Sequence, residues 1–145
     1  MQDTEICYMP ALEMAQAIKT KKLSPVEVIN AVLNRIERLN LKINAYCTVL
    51  DEYAREKARE SEVKLMNGDK LGPLHGVPIS IKDLTYTKGI RTTSGSKLYE
   101  NFIPDRDAII VERLKAAGAI LLGKTNTPEF GFMGVTDNLL FGSNT

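Results

Sequence analysis

Lys82 and Asp83 close the segment Gly-Val-Pro-Ile-Ser-Ile-Lys-Asp (76–83), where a strand-like alternation ends on an ammonium and a carboxylate. Two readings of Lys82 are open. It can snorkel from a strand end into solvent. Alternatively, a pocket can desolvate it, lower its pKa from about 10.4 and make it a general base. Neighbouring strand residues point to opposite faces, so the Asp83 carboxylate need not meet the ammonium. Thr-Thr-Ser-Gly-Ser-Lys (92–97) offers Ser94 and Ser96 as nucleophiles, and the only histidine, His75, is the one imidazole base to activate them. A Ser-His-Asp triad can be drawn through it. The setting Pro73-Leu74-His75-Gly76 instead suggests a turn whose imidazole bonds to backbone, with both serines satisfying their own loop.

Residues 118–125, GAILLGKT, match the phosphate-loop string G-x-x-x-x-G-K-[ST]. A working phosphate loop runs strand, glycine-rich turn, helix, because its amides must face phosphate at a helix N-terminus. Here a helical segment precedes Gly118, and Ala-Ile-Leu-Leu fills the intervening positions. The segment therefore reads as a buried strand, and no nucleotide is expected.

The elements that must position these groups are legible from periodicity. Met9–Leu23 reads as a short helix with Leu12, Ala15 and Ile18 on one face. Ser24, Pro25 and Glu27 form a helix start with a capping box, and Val28, Val32, Ile36 and Leu39 make its stripe. A short strand lies within Ile43–Leu50. A third helix, capped by Asp51, runs to about Met66 and stops near Gly68, with Asp51/Arg55 and Glu60/Lys64 as i,i+4 pairs. Turns follow over 67–78. The strand 76–83 comes next, then a long polar loop over 84–106. A helix covers about Asp107–Ala117, with Ile110, Val111 and Leu114 inward and Gly118 as its stop. Helices first, then strand–helix–strand, predict an α/β fold with a helical N-terminal layer over 1–70 and a sheet-bearing part over 71–145.

Composition narrows the class. The 145 residues are 43% hydrophobic and 26% charged, which suits a folded domain. Nineteen Lys and Arg against 18 Asp and Glu give no basic surface for nucleic acid or an anionic membrane. The acidic start MQDTEICYMP lacks a signal-peptide pattern, and no apolar run reaches the roughly 20 residues of a membrane span. Cys7 and Cys47 form neither a disulfide framework nor a metal site, so a cytoplasmic, thiol-reduced protein is expected.

Four stretches taken together, GPLHGVPISIKD (72–83), KGIRTTSGSK (88–97), AAGAILLGKTNTPEFGF (116–132) and TDNLLFGS (136–143), resemble the amidase signature family in order and spacing. The resemblance extends from about Leu23 to Thr145. It implies a mixed β-sheet flanked by helices, of which this chain carries an incomplete part. It implies hydrolysis of a linear amide by a Ser–cis-Ser–Lys unit, with Lys82 as terminal base and no metal or nucleotide cofactor. That family's two serines lie in a GGSSGGS-like stretch after the T-D-N-x-x-F-G motif. Ser94 and Ser96 do not match them, so the chain is expected to be truncated and inactive alone. PEFGFMG resembles a pocket-lining segment, making Phe132 and Met133 substrate-pocket or core residues. The family also includes the glutaminase component of tRNA-dependent amidotransferases, and a non-catalytic binding or assembly domain is a further reading. Phe130, Phe132, Leu139, Leu140 and Phe141 in the tail, with an unpaired sheet edge, predict self-association.

Overall fold

A computed structural model describes residues 2–145. The elements run α1 (Asp3–Tyr8), α2 (Ala11–Lys19), α3 (Pro25–Ile43), β1 (Tyr46–Val49), α4 (Asp51–Asn67), β2 (Pro78–Lys82), α5 (Ile109–Ala116) and β3 (Ile120–Thr125). Short 3₁₀ turns stand at Lys97–Tyr99 and Glu129–Gly131. The sheet order is β1-β3-β2, with β1 antiparallel to β3. The Ile120 N–H donates to the Val77 carbonyl and the Asp83 N–H to the Thr125 carbonyl. Both strands therefore advance in the same direction, and α5 is the crossover that a parallel pair requires. The sheet is mixed, as expected.

The first of two compact units comprises the chain up to Arg38, Leu50–Ile79 and Arg113–Leu122. Its core gathers Ile6, Met14, Ile18, Leu23, Val28, Ala31, Leu65 and Val77. Burying side chains of this size contributes about 1.5–3 kcal/mol each, which is what holds the short α1 and α2 in place. The predicted capping box is present: Ser24 Oγ accepts from the Val26 N–H at 3.0 Å, and Glu27 Oε2 accepts from the Ser24 N–H at 3.0 Å. Gly68 ends α4 in the left-handed region at φ +77°, where its N–H donates to Leu65 O.

Several expected faces are rotated. Leu12 is 81% exposed; α2 instead turns Met14 and Ile18, one turn apart, into the core. In α3 the buried set is Pro25, Val28, Ile29, Ala31 and Leu33, while Leu39 is exposed. Helix α1, which periodicity does not reveal, takes up part of this surface through Ile6. Asp51 is the first helical residue of α4 and not its cap, yet it pairs with Arg55 at 2.7 Å. Glu60 pairs with Lys57. In α5, which begins at Ile109, Val111 is buried and Ile110 exposed.

The second unit comprises Leu39–Val49, Ser80–Glu112 and Gly123–Thr145. It holds the ends of β2 and β3, the long loop and the tail. In the β1–β3 ladder Tyr46 opposes Thr125 and Thr48 opposes Lys124, so Cys47 is the extra residue of a bulge.

Candidate active site

Lys82 stands exposed at the last position of β2, and Asp83 immediately after it is buried. Alternation explains the split: Ile81 is buried, whereas Ser80 shares the open face with Lys82. Asp83 anchors the strand end in two directions. Its N–H donates to Thr125 O at 2.9 Å, and its carbonyl accepts from the Ser94 N–H at 2.9 Å. Its Oδ2 accepts from the Thr93 N–H at 3.1 Å and from the Thr93 hydroxyl at 2.5 Å. The loop that leaves β2 is thereby brought back onto the residue following Lys82.

Desolvation of a lysine, weighed for Lys82, occurs at Lys124. Its side chain is 0% exposed, on β3. The ammonium donates to Thr85 O at 2.6 Å, Thr87 Oγ1 at 2.9 Å and Thr92 Oγ1 at 2.9 Å, three neutral oxygens of the loop after β2. Burial pushes its pKa down to about 8, against the opposing pull of Asp83. The supposed phosphate-loop lysine is thus a loop clamp inside a strand. Sequence signalled it only indirectly, by placing a lysine in an otherwise apolar run. Cys47, on the bulge, donates to Lys124 O at 3.4 Å. Burial and then the Asp83 carboxylate raise this thiol to about 12.

The other sequence candidates separate. His75 Nε2–H donates to Ser61 O at 2.9 Å, the backbone-bonded turn histidine that was expected. Ser96 Oγ accepts from the Leu98 N–H, also a loop role. Phe132 and Met133 line an open groove of about 410 Å³ together with Glu129, Phe130, Asp137, Asn138 and Leu139. Lys82 is not among those lining residues. The groove segment nevertheless reaches the strand end, since a Cβ on Gly131 would meet Leu84 Cδ2 at 2.9 Å. Ser94 and Phe130 both lie in the left-handed region, at φ +54° and +51°, and the Phe130 N–H donates to Ser94 O. Two strained residues joined in this way tie the loop to the groove wall. Asn138 fixes its far end, donating to Asn126 Oδ1 and Thr127 O and accepting from the Leu140 and Phe141 N–H groups. Among the described residues no group of three or more His, Cys, Asp or Glu is placed to hold a metal ion.

Lys82 at the strand end, the Thr/Ser loop folded back on Asp83 and the groove held by Asn138 all lie in the second unit. The Amidase family model matches residues 27–145. The chain belongs to the amidase family. It is 48% identical over 137 residues to one component of the glutamyl-tRNA(Gln) amidotransferase from Carboxydothermus hydrogenoformans, covering 94% of this chain and 28% of that protein. It is 42% identical over 142 residues to an acylamidase from Rhodococcus erythropolis, covering 98% and 30%. A bacterial aryl acylamidase of the amidase signature family superposes with a TM-score of 0.89 at 32% identity, over 94% of this chain and 29% of that one. A fatty acid amide hydrolase does so at 0.93 and 26%, over 99% and 25%. The amidase chain described here thus spans under a third of the length of these relatives. Its expected fold and family are both met.

Proposed function

We propose that this amidase-family chain contributes the terminal base, Lys82, to hydrolysis of a linear amide into an acid and ammonia or an amine. The observation that carries the reading is the exposed lysine at a strand end whose next residue is fixed by four hydrogen bonds. Positioning of this kind is what a general base requires. In the reaction, Lys82 accepts a proton from a relay serine, which takes one from the nucleophilic serine. The alkoxide adds to the amide carbon, the C–N bond breaks, and the amine leaves carrying the proton. Water then cleaves the acyl-enzyme by the same route. Ser94 and Ser96 do not match either serine, so the 145 residues supply only the lysine. Phe132 and Met133 are read as contacts for the acyl group, and no metal or nucleotide takes part. The free Cys7 and Cys47 support a cytoplasmic setting, and the exposed Phe130, Phe132 and Leu139 support self-association through the tail.

The 48% identity to an amidotransferase component favours a second reading, a glutaminase that releases ammonia for a tRNA-bound substrate. Assay of acid and ammonia release tests both. The isolated chain should show no turnover above background. In an active protein containing it, Lys82→Ala should abolish hydrolysis, and Lys82→Arg should fail equally because a guanidinium keeps its proton. Glutamine as the preferred amide would select the second reading. Turnover by the isolated chain that depends on Ser94 or Ser96, or indifference to Lys82→Ala, overturns the proposal.

A further inference from the structure

On the open face of the sheet, Tyr46 reaches from β1 to β2 across the intervening β3. Its hydroxyl is hydrogen-bonded to Ser80 Oγ. The crossing is possible because β3 presents Gly123 at that point: a Cβ there would lie 3.2 Å from Tyr46 Cδ1 and 2.2 Å from Thr48 O. In the ladder Tyr46 opposes Thr125, beside the bulge at Cys47, and its ring extends to the bare Gly123 position. Burial raises the Tyr46 phenol above its ordinary value, with the Ser80 bond acting in the opposite sense, so the hydroxyl stays protonated and able to donate. Ser80 precedes Lys82 by two residues on the same strand, so both side chains stand on one face. A freely rotating serine in that position would offer Lys82 a changing neighbour. Held by Tyr46, it offers a fixed one.

We infer that Tyr46 is a positioning residue for Lys82, acting through Ser80 across the gap that Gly123 leaves in β3. The inference rests on the reading of Lys82 as the base, but concerns how that side chain is held. A β1 residue 36 positions earlier in the sequence thereby belongs to the surroundings of the lysine. No step of the reaction passes through the phenol.

The test reads Lys82 without turnover. The 145-residue chain is acetylated by pulses of acetic anhydride across roughly pH 7 to 11, where lysines titrate. Labelling at each lysine is followed by mass spectrometry, with exposed Lys64 as the internal reference. Tyr46→Phe keeps the ring over Gly123 and removes only the hydroxyl; Ser80→Ala removes the partner. Each variant is expected to change the Lys82 rate relative to Lys64 by about threefold or more, the scale set by the Tyr46–Ser80 hydrogen bond that each removes. A smaller change in either variant, with thermal melting intact, overturns the inference. Failure of the functional reading looks different: Lys82→Ala would leave turnover intact whatever the labelling shows.

Discussion

Asp83 and Thr93 share two hydrogen bonds through one carboxylate oxygen, Oδ2, which takes both the Thr93 N–H and the Thr93 hydroxyl. Because Asp83 is 1% exposed, this pairing is dry, and its loss leaves buried polar groups without partners. Asp83→Ala is expected to cost about 3 kcal/mol, and Thr93→Val about 1–2 kcal/mol, since the Thr93 N–H keeps its acceptor. Urea denaturation measures both. A loss under about 1 kcal/mol for Asp83→Ala would show that the loop holds without this anchor.

Alkaline pH should change stability in a particular sequence. Lys124 has a folded pKa of about 8, below its unfolded value of 10.5, so between these the unfolded chain binds more protons and stability rises with pH. Cys47 is raised from 9.0 to about 12, so it contributes stability below 9 that is lost as pH climbs towards 12. These two groups together give a rise from about 8 to 9, a plateau to about 10.5, and a fall beyond. The Lys124 contribution amounts to about 3 kcal/mol when complete. Lys124→Met should abolish the rise, and Cys47→Ala should extend it to 10.5. Denaturation midpoints at stepped pH check both.

Lys124→Ala should also be costly at neutral pH, by about 3–5 kcal/mol. It leaves a cavity and removes the donor from Thr85 O, Thr87 Oγ1 and Thr92 Oγ1. No phosphate chemistry would be lost with it. Melting with and without Mg-ATP should give the same midpoint in the parent chain.

Gly89 and Gly95 separate conformational strain from crowding. Both have positive φ, +72° and +67°. A Cβ on Gly89 meets nothing within 4 Å, whereas one on Gly95 would lie 2.7 Å from Thr127 O. Gly89→Ala is expected to cost about 1 kcal/mol, and Gly95→Ala at least about twice that. Equal losses would mean that the Thr127 backbone yields freely.

Asn138→Asp should release the tail. The carboxylate keeps its acceptance from the Leu140 and Phe141 N–H groups but loses both donations, and it faces Asn126 Oδ1 and Thr127 O as a like-signed partner. Amide exchange over residues 139–145 should quicken by an order of magnitude or more, corresponding to about 1.4 kcal/mol or more of lost protection.

The parts of this chain that are readable in sequence are those where local chemistry decides. Ser24, Pro25 and Glu27 specify a helix start from within one turn, and Val77, Ile79 and Ile81 specify a strand from period alone. His75 follows its expected role because a Pro-Leu-His-Gly turn leaves an imidazole little else to bond. What escapes are facts that depend on distant residues. The burial of Lys124 requires three oxygens from residues 85–92, and the exposure of Leu12 depends on which neighbour takes the core-facing surface of α2. The bulge at Cys47 follows from a register between strands separated by α4, β2 and α5. Periodicity carries none of that information. Family resemblance singles out Lys82, but only the fold shows its neighbour Asp83 fastened on both sides.

The strand order has a consequence for biosynthesis. In β1-β3-β2 the middle strand is made last, so neither edge strand has its partner while the ribosome is still making the loop and α5. Thr125 follows Lys82 by 43 positions (125 − 82), which at roughly 5–20 residues per second is about two to nine seconds of translation. During that interval Ile79 and Ile81 sit on an unpaired strand, a template for pairing with another nascent chain. The polar residues 84–106 and the charged helix that follows give the waiting edge a soluble leash. Codon choice over that stretch is therefore expected to act on the yield of folded chains without altering a single side chain.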